Sequence, residues 1–142
     1  MQCAFLMTKP IPTIRKYMTT APHTIGADQV MEQAHKMMRE HRIRHLPVLR
    51  AGKIVGVVSD GDLHLVETLK DVDPREVRVE DAMTQEPYMV DPETPLDEVV
   101  KQMAEHKYGS AVVAQNHKVV GVFTMVDACR AFAEMLHGRL AK

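Results

Sequence analysis

The sequence contains no tryptophan and few aromatic residues of any kind. Phe and Tyr make up only 4% of its 142 residues, although hydrophobic residues as a whole reach 45%. That apolar content is normal for a globular chain and excludes an intrinsically disordered one. The interior must therefore consist mainly of aliphatic side chains and of the eleven methionines. Methionine packs adaptably, so these residues fill gaps in the core or form a plastic interface.

The sequence also has no excess charge and no long apolar run. Eighteen basic residues against nineteen acidic ones give a net charge of −1, which provides no general attraction to nucleic acid or to an anionic membrane. Arg39, Arg42 and Arg44 lie close together, but without an aromatic platform they are interpreted as solvated charges at a helix end. No segment approaches the roughly 18 apolar residues of a membrane span. We therefore expect neither a nucleic-acid partner nor a membrane.

Cysteine is scarce as well. Cys3 and Cys129 form no close-spaced metal pair and no dense disulfide framework. The opening residues MQCAFLMTKP have no basic region ahead of their short apolar run, so a signal peptide is not expected. These features favour a reduced, cytoplasmic location. Cys129 lies among helical residues in VDACRAFAEM and is interpreted as an inert core residue.

Signatures of catalysis and of metal binding are missing from the sequence. There is no P-loop, no Gly-rich dinucleotide motif, and no Ser/His/Asp or Cys/His arrangement in a recognisable setting, so no enzyme is expected. Of the eight histidines, His35 and His41 are six positions apart and do not share a helical face. No dedicated metal site is expected, although Mg²⁺ could accompany the phosphates of a bound ATP.

What the sequence does contain is an internal duplication. When residues 14–63 are placed over residues 79–128 without gaps, thirteen of the fifty positions are identical. The apolar pattern and the turns also match. The clearest matching stretches are GVVSDGDL at 56–63 and GVFTMVDA at 121–128. Identity, pattern and turns together indicate a tandem repeat.

Each copy predicts the same order of elements: strand, helix, strand, strand, helix. Tight turns at Ala51-Gly52 and Asn116-His117 suit two-residue hairpins, and the final helices are expected over 62–69 and 127–136. One copy has too little core to be stable alone, so we expect an α+β fold in which two copies pack about a pseudo-twofold axis. The expected boundaries are an N-terminal extension (1–13), a first repeat (14–70), a charged linker (71–78), a second repeat (79–137) and a C-terminal tail (138–142).

Three residues predict helix ends. Thr94 is expected to cap the long helix of the second copy, with Pro95 in its first turn. Asp28 is expected to cap the corresponding helix of the first copy. Gly138 is expected to stop the last helix.

The duplicated corner combines a hydroxyl and a carboxylate at a strand-to-helix turn. Ser59 precedes Asp62 by three positions, and Thr124 precedes Asp127 by the same spacing. Free amides and the helix dipole favour an anion at such a turn. A hydroxyl can donate to a phosphate, and a carboxylate can accept from two ribose hydroxyls. The alternative is that these side chains only cap the helix, and duplication does not decide between the two interpretations.

Three stretches in order, occurring twice, resemble a known family. YMTTAPHTI, HRIRHLPVL and GVVSDGDL in the first copy correspond to AMTQEPYMV, HKYGSAVVA and GVFTMVDA in the second. Each copy resembles a CBS domain and the pair resembles a Bateman module, over about residues 14–136. The resemblance implies two CBS repeats of order β-α-β-β-α. It also implies that adenosyl compounds such as AMP, ADP, ATP or S-adenosylmethionine bind in the clefts between the paired domains.

Position by position, the resemblance implies a set of ligand-binding residues. Asp62 and Asp127 correspond to ribose-binding aspartates, and Ser59 and Thr124 correspond to phosphate-side hydroxyls. The other residues implied to line the pockets are His23, Thr24, Tyr88, Met89, Arg44, His45, Pro47 and Ser110.

The sequence departs from the family pattern at one place. Members of the family often carry a basic residue directly before the final aspartate, where this chain has Gly61 and Val126. Because Arg44 and His45 are near the first corner in sequence, and Arg offers a charged fork to phosphate, the first corner is expected to be the better site. The second is expected to bind weakly, to bind less charged ligands, or to be vacant.

The leading functional hypothesis is a non-catalytic regulatory module that senses adenine nucleotides, requires no cofactor and acts on an unknown protein effector, without an effector domain of its own. The expected apolar faces of the two final helices favour a homodimer, and the family's dimers agree. Their residues are Leu63, Val66, Leu69, Ala131, Phe132 and Met135. The alternative is a dimeric protein–protein interaction module that binds no ligand.

Overall fold

A computed structural model describes residues 10–20 and 23–140, without the side chains of residues 139 and 140. Residues 1–9 of the expected N-terminal extension, Cys3 among them, and residues 141–142 of the expected tail lie outside the described residues. No helix in the described ranges is both long and apolar enough to cross a membrane.

Residues 10–20 and 23–140 form eight strands and five α-helices, preceded by a 3-10 turn at Ile14–Lys16. The strands are β1 (Thr19–Thr20), β2 (Ile25–Gly26), β3 (His45–Arg50), β4 (Lys53–Ser59), β5 (Thr84–Gln85), β6 (Met89–Val90), β7 (Ser110–Gln115) and β8 (Lys118–Thr124). The helices are α1 (Met31–His41), α2 (Asp60–Glu67), α3 (Val79–Ala82), α4 (Leu96–His106) and α5 (Met125–Leu140). The α+β class and the duplicated order of elements are confirmed.

The two sheets are built by exchange between the repeats. One sheet has the order β2-β3-β4-β5 and the other β1-β8-β7-β6. Strand β1 therefore pairs with the hairpin of the second repeat, with Thr19 opposite Val122. Strand β5 pairs with the hairpin of the first repeat, with Thr84 opposite Val57. The two pairings are related by the same 65-residue offset as the sequences, as a pseudo-twofold axis requires.

The tight hairpins predicted from sequence are confirmed. Ala51 and Gly52 connect β3 to β4, and Asn116 and His117 connect β7 to β8. All four residues have positive φ angles, between 51° and 79°. Two-residue turns of this kind match the right-handed twist of the flanking strands.

Each repeat has its own apolar core, and the first residue of each repeat packs into the core of the other one. The first core includes Leu46, Val58 and Leu63, and it also contains Val79 from α3. The second core includes Phe123 and also contains Ile14 from the 3-10 turn. The exchange places apolar side chains, as well as strands, across the boundary between the halves.

The caps predicted for the two long helices are wrong. Helix α1 begins after Val30 and α4 begins after Pro95, and neither of these N-cap residues makes a side-chain hydrogen bond to its helix. Asp28 and Thr94 lie too far upstream of the first helical residues to fill the N-cap position.

Exchanged segments provide the hydrogen-bond acceptors instead. The Met31 N–H donates to the carbonyl oxygen of Val77 at 2.9 Å, and the Leu96 N–H donates to that of Pro12 at 2.8 Å. Free amides at a helix start need an acceptor, and backbone carbonyls serve as well as side chains. The start of each long helix is thus hydrogen-bonded to a residue of the expected linker or of the expected N-terminal extension, which lie outside the repeats predicted from sequence.

Two expectations about the last helix are also wrong. Helix α5 continues through Gly138 to Leu140, since glycine inside a helix costs only about 1 kcal/mol. Cys129 is exposed rather than in the core. It lies on the helix side opposite Ala131, which is 2% exposed and packs inward.

Candidate functional site

Two clefts lie between the repeats, and each contains one of the duplicated corners. The Asp62 cleft has a volume of about 190 Å³ and is lined by His45, Val57, Ser59, Asp62, Thr84, Glu86, Pro87, Tyr88, Lys107, Tyr108, Gly109 and Ser110. The Asp127 cleft has a volume of about 590 Å³ and is lined by Thr19, Thr20, His23, His41, Arg42, Ile43, Arg44, His45, Val122, Thr124, Val126, Asp127 and Arg130. Small-molecule sites typically measure about 300–1,000 Å³, a range that includes only the second volume.

Each cleft mixes residues from both halves, and the exchanged strands explain why. Strand β5 runs beside β4, which leads into the Ser59–Asp62 corner, so the residues after β5 lie in that cleft. Strand β1 runs beside β8 in the same way, which brings His23 to the Thr124–Asp127 corner. Arg44 lines the Asp127 cleft rather than the Asp62 cleft, although its side chain also lies 3.9 Å from Asp60.

The Asp62 corner is a helix cap that leaves one carboxylate oxygen uncommitted. Ser59 is the N-cap of α2, and its Oγ accepts from the Asp62 N–H at 3.1 Å. Oδ2 of Asp62 accepts from the Ser59 N–H at 3.0 Å, which completes a capping box. Within the described residues, Oδ1 of Asp62 accepts no hydrogen bond. Ser59 and Asp62 therefore do cap the helix. They also leave Oδ1 of Asp62 and the hydroxyl proton of Ser59 able to form hydrogen bonds with a ligand.

The Asp127 corner is more deeply buried and more fully bonded. Asp127 is 3% exposed, and its Oδ2 accepts from the N–H of Thr124 at 2.9 Å and from its hydroxyl at 3.2 Å. Oδ1 accepts from Arg130 Nη1 at 2.9 Å. A carboxylate oxygen has two lone pairs, so Oδ1 can accept one further hydrogen bond from a ligand hydroxyl.

His45 forms part of the wall that separates the clefts and lines both of them. Burial lowers the pKa of its imidazole, while the nearby carboxylates of Asp60, Asp62 and Asp127 oppose that shift. The burial effect is the largest, so the neutral form predominates at neutral pH.

The structure brings nine of the twelve sequence-predicted site residues to the clefts. These are His23, Arg44, His45, Ser59, Asp62, Tyr88, Ser110, Thr124 and Asp127. The other three do not line either cleft. Thr24 faces a separate surface depression near the β3–β4 turn, Met89 is 44% exposed on β6, and Pro47 is buried in β3.

Sequence reasoning missed several lining residues for which the repeat did carry a signal. Thr19 and Thr84 are identical at the 65-residue offset, and each lines a cleft. Arg42 and Lys107 are both basic, both end a long helix and both have positive φ angles, of 53° and 58°. Arg130 has no basic counterpart, because Leu65 occupies the matching position, and no sequence signal identified it.

Metal ligands are not grouped in this region. Nowhere in residues 10–20 and 23–140 do three or more His, Cys, Asp or Glu side chains come together in a way that could hold a metal ion. His23 and His41 do meet in the Asp127 cleft, where their rings stack with centroids 3.6 Å apart.

The CBS domain family matches residues 4–66 and 79–134. The chain belongs to the CBS domain family. The two matches overlap the two repeats, and the exchanged strands and paired clefts are thus those of a CBS domain pair.

Similar regions occur in proteins of different lengths. The chain is 30% identical over 122 residues to inosine-5'-monophosphate dehydrogenase of Korarchaeum cryptofilum, and the match covers 85% of this chain but 24% of that enzyme's length. The structure of CBSX2 in complex with AMP has a TM-score of 0.75 and 25% identity, covering 87% of this chain and 97% of that one. The CBS domain pair of protein MJ0100, in complex with 5'-methylthioadenosine and S-adenosyl-L-methionine, has a TM-score of 0.80 at 24% identity, covering 89% and 99%.

Proposed function

We propose that this CBS domain pair is a non-catalytic regulatory module that binds adenosyl ligands, of the class of AMP, ADP, ATP and S-adenosylmethionine, between its repeats. The observation that carries the proposal is that both hydroxyl–aspartate corners face a cleft. The relative CBSX2, at 25% identity, was solved with AMP.

The proposed location is the cytoplasm. An exposed thiol such as that of Cys129 stays reduced there.

The corner chemistry suits a ribose with a substituent at its 5′ carbon. In the Asp62 cleft, Oδ1 of Asp62 is available to a ribose hydroxyl, and the Ser59 hydroxyl proton is available to an acceptor on the ligand. The N-terminus of α2 adds a partial positive charge beside Ser59. Where ATP is the ligand, Mg²⁺ would accompany its phosphates rather than occupy a site made by the protein.

Regulation follows from the position of the ligand between the halves. A ligand held by both repeats binds most tightly to one relative arrangement of them and therefore shifts the population toward that arrangement. A protein effector that contacts both halves would then respond to ligand concentration. The module needs no chemical step of its own for this role.

Binding should be visible as stabilisation. At about 100 times its dissociation constant, a ligand that binds only the folded state adds about 2.7 kcal/mol to the free energy of unfolding. We expect AMP to raise the melting temperature of the native chain and to have no effect on the double variant Asp62→Ala/Asp127→Ala. Thermal unfolding with and without AMP measures this, and Asp97→Asn, an exposed acidic residue in the first turn of α4, is the control.

The proposal fails if folded protein gives neither heat in calorimetry nor a melting shift with millimolar AMP, ADP, ATP or S-adenosylmethionine. The alternative, an interaction module that binds no ligand, would then be favoured. It would show only the loss of a cap in the Asp62→Ala variant, about 0.5–2 kcal/mol.

We further propose that the pair forms a homodimer through its last helix. Phe132, Met135 and Leu136 on α5 are 62%, 52% and 41% exposed, and residues three and four positions apart lie on one helix face. Of the six residues expected on the faces of the two final helices, Leu63 and Ala131 instead lie in the cores, and Val66 packs partly against the first core. Leu69 is exposed but lies beyond the end of α2. A second copy is the proposed cover for the residues that remain exposed.

Phe132→Glu is expected to convert this dimer to a monomer while leaving the melting temperature of the monomer nearly unchanged, because Phe132 makes little contact within its own chain. Sedimentation equilibrium over a concentration series measures the change in mass. Glu134→Gln, also exposed on α5, should remain dimeric. A wild-type chain that sediments as a monomer at high concentration would contradict the dimer.

A further inference from the structure

The two clefts carry opposite charge, although the corners that define them are duplicates. Among the residues that the structure describes, three guanidinium groups line the Asp127 cleft against a single carboxylate, with three histidines beside them. In the Asp62 cleft, the ammonium group of Lys107 faces the carboxylates of Asp62 and Glu86. The guanidinium groups are those of Arg42, Arg44 and Arg130.

The difference arises from substitutions between the two copies. Positions 65 residues apart occupy equivalent places in opposite clefts, so they can be compared directly. Arg44 corresponds to Gly109, and Arg130 corresponds to Leu65. At both of these positions a cationic side chain in the Asp127 cleft has a counterpart that carries no charge.

The arginines of the Asp127 cleft are available to a ligand to different degrees. Arg130 is already paired with Asp127 at 2.9 Å. Arg44 lies 3.9 Å from Asp60, a long contact, and its side chain is 75% exposed. An exposed ion pair of this kind is worth little, so Arg44 can turn to a phosphate at low cost. Guanidinium groups bind phosphate in a bidentate manner.

The aromatic side chains also differ between the two clefts. The Asp127 cleft holds the stacked imidazoles of His23 and His41, which can donate N–H groups to an anion. The Asp62 cleft holds Tyr88 and Tyr108, whose rings stack with centroids 5.0 Å apart. Burial raises the pKa of the Tyr88 phenol, and aromatic rings offer apolar faces on which a base can stack.

The two volumes agree with this division. The Asp127 cleft, at about 590 Å³, has room for a nucleoside and a phosphate chain. The Asp62 cleft, at about 190 Å³, leaves less room for a phosphate chain. Its carboxylates of Asp62 and Glu86 would repel phosphates and attract a cationic group.

We propose that the two clefts sort adenosyl ligands by the charge at the 5′ position. The Asp127 cleft binds the phosphorylated ligand, and the Asp62 cleft binds an adenosyl ligand whose 5′ substituent is neutral or cationic. The inference rests on the proposed function, since it assumes that adenosyl ligands bind at both corners. It reverses the ranking expected from sequence, which placed the phosphate at the first corner.

Titration calorimetry with four adenosyl ligands tests the sorting. The probes are 5'-methylthioadenosine, which is neutral at the 5′ position, S-adenosylmethionine, which is cationic there, and AMP and ATP, which are anionic. We expect AMP and ATP binding to be lost in Asp127→Ala and kept in Asp62→Ala, and the reverse for the other two ligands. In the wild-type chain, saturation with AMP should leave the binding of 5'-methylthioadenosine unchanged.

A second variant keeps the test independent of any folding defect at the buried Asp127. Arg44→Gln alters an exposed side chain and should weaken ATP binding about tenfold or more, with less than a twofold effect on 5'-methylthioadenosine. The control is Arg39→Gln, an exposed arginine on α1 that lines neither cleft. Added salt should weaken ATP binding far more than that of the neutral ligand.

Two kinds of outcome overturn the inference, and they are distinguishable. If AMP and 5'-methylthioadenosine compete for binding, or if one single variant loses the binding of both, the sorting is wrong while the proposed function stands. An equal effect of Arg44→Gln on both ligands leads to the same conclusion. If none of the four ligands binds folded protein at millimolar concentration, the sorting and the proposed function both fail.

Discussion

Replacing Ile14 by alanine is expected to lower the free energy of unfolding by about 2–5 kcal/mol, the usual cost of truncating a fully buried Ile. Ile14 lies in a three-residue turn near the N-terminus, yet it is 0% exposed. It packs in the core of the second repeat with Leu96 and Val99. Its N–H donates to the carbonyl oxygen of Thr94 at 2.8 Å, which fixes the turn over that core.

Urea unfolding of the wild-type chain, Ile14→Ala and Ile11→Ala measures the effect. Ile11 is three positions upstream and 46% exposed, so the same truncation there should change stability by less than about 0.5 kcal/mol. Equal, small effects at the two positions would mean that the N-terminal segment does not pack on the second repeat.

The exchange also predicts how the two halves unfold. Val79 occupies in the first core the place that Ile14 occupies in the second. Because each core is closed by a segment of the other half, neither core is complete alone. Unfolding is therefore expected to occur in a single transition.

The features that the sequence predicted correctly depend on local signals. The hairpins follow from two-residue turns whose residues tolerate positive φ. The corners follow from a hydroxyl and an aspartate at fixed spacing at the start of a helix. The duplication made each of these signals visible twice, so the fold class could be inferred with little tertiary information.

The features that were missed depend on contacts distant in sequence. Strands β1 and β5 have two residues each, too few to show a periodicity. Without them, the exchange between halves could not be inferred, and proximity in sequence did not show that Arg44 lines the Asp127 cleft. The helix caps were missed for the same reason, since their acceptors come from the exchanged segments.

Gly121→Ala is expected to destabilise the fold by about 1–3 kcal/mol, as overpacking does, and to weaken AMP binding at the same time. A Cβ at Gly121 would lie 2.9 Å from the carbonyl oxygen of Thr19 and 2.5 Å from Met18 Sδ. The methionine can move aside, but the Thr19 oxygen belongs to β1, which pairs with β8 at this point. Relief therefore requires β1 to shift.

That shift connects packing to the ligand site. Thr19 and Thr20 of β1, and His23 shortly after it, line the Asp127 cleft, so displacing the strand should distort this cleft and leave the Asp62 cleft intact. Gly56 is the duplicate position, where a Cβ would lie 2.7 Å from the carbonyl oxygen of Thr84 in β5. Gly56→Ala should cost similar stability but preserve AMP binding, because Thr84 lines the other cleft.

Calorimetry with AMP and urea unfolding on the two variants separate these effects. Gly138→Ala is the control for the substitution itself. Its Cβ meets nothing within 4 Å, and alanine in a helix interior should stabilise by about 0.5–1 kcal/mol. If Gly121→Ala loses stability but binds AMP as tightly as the wild-type chain, then β1 does not position the ligand. Equal loss of AMP affinity in Gly121→Ala and Gly56→Ala would instead mean that the two clefts respond as one unit.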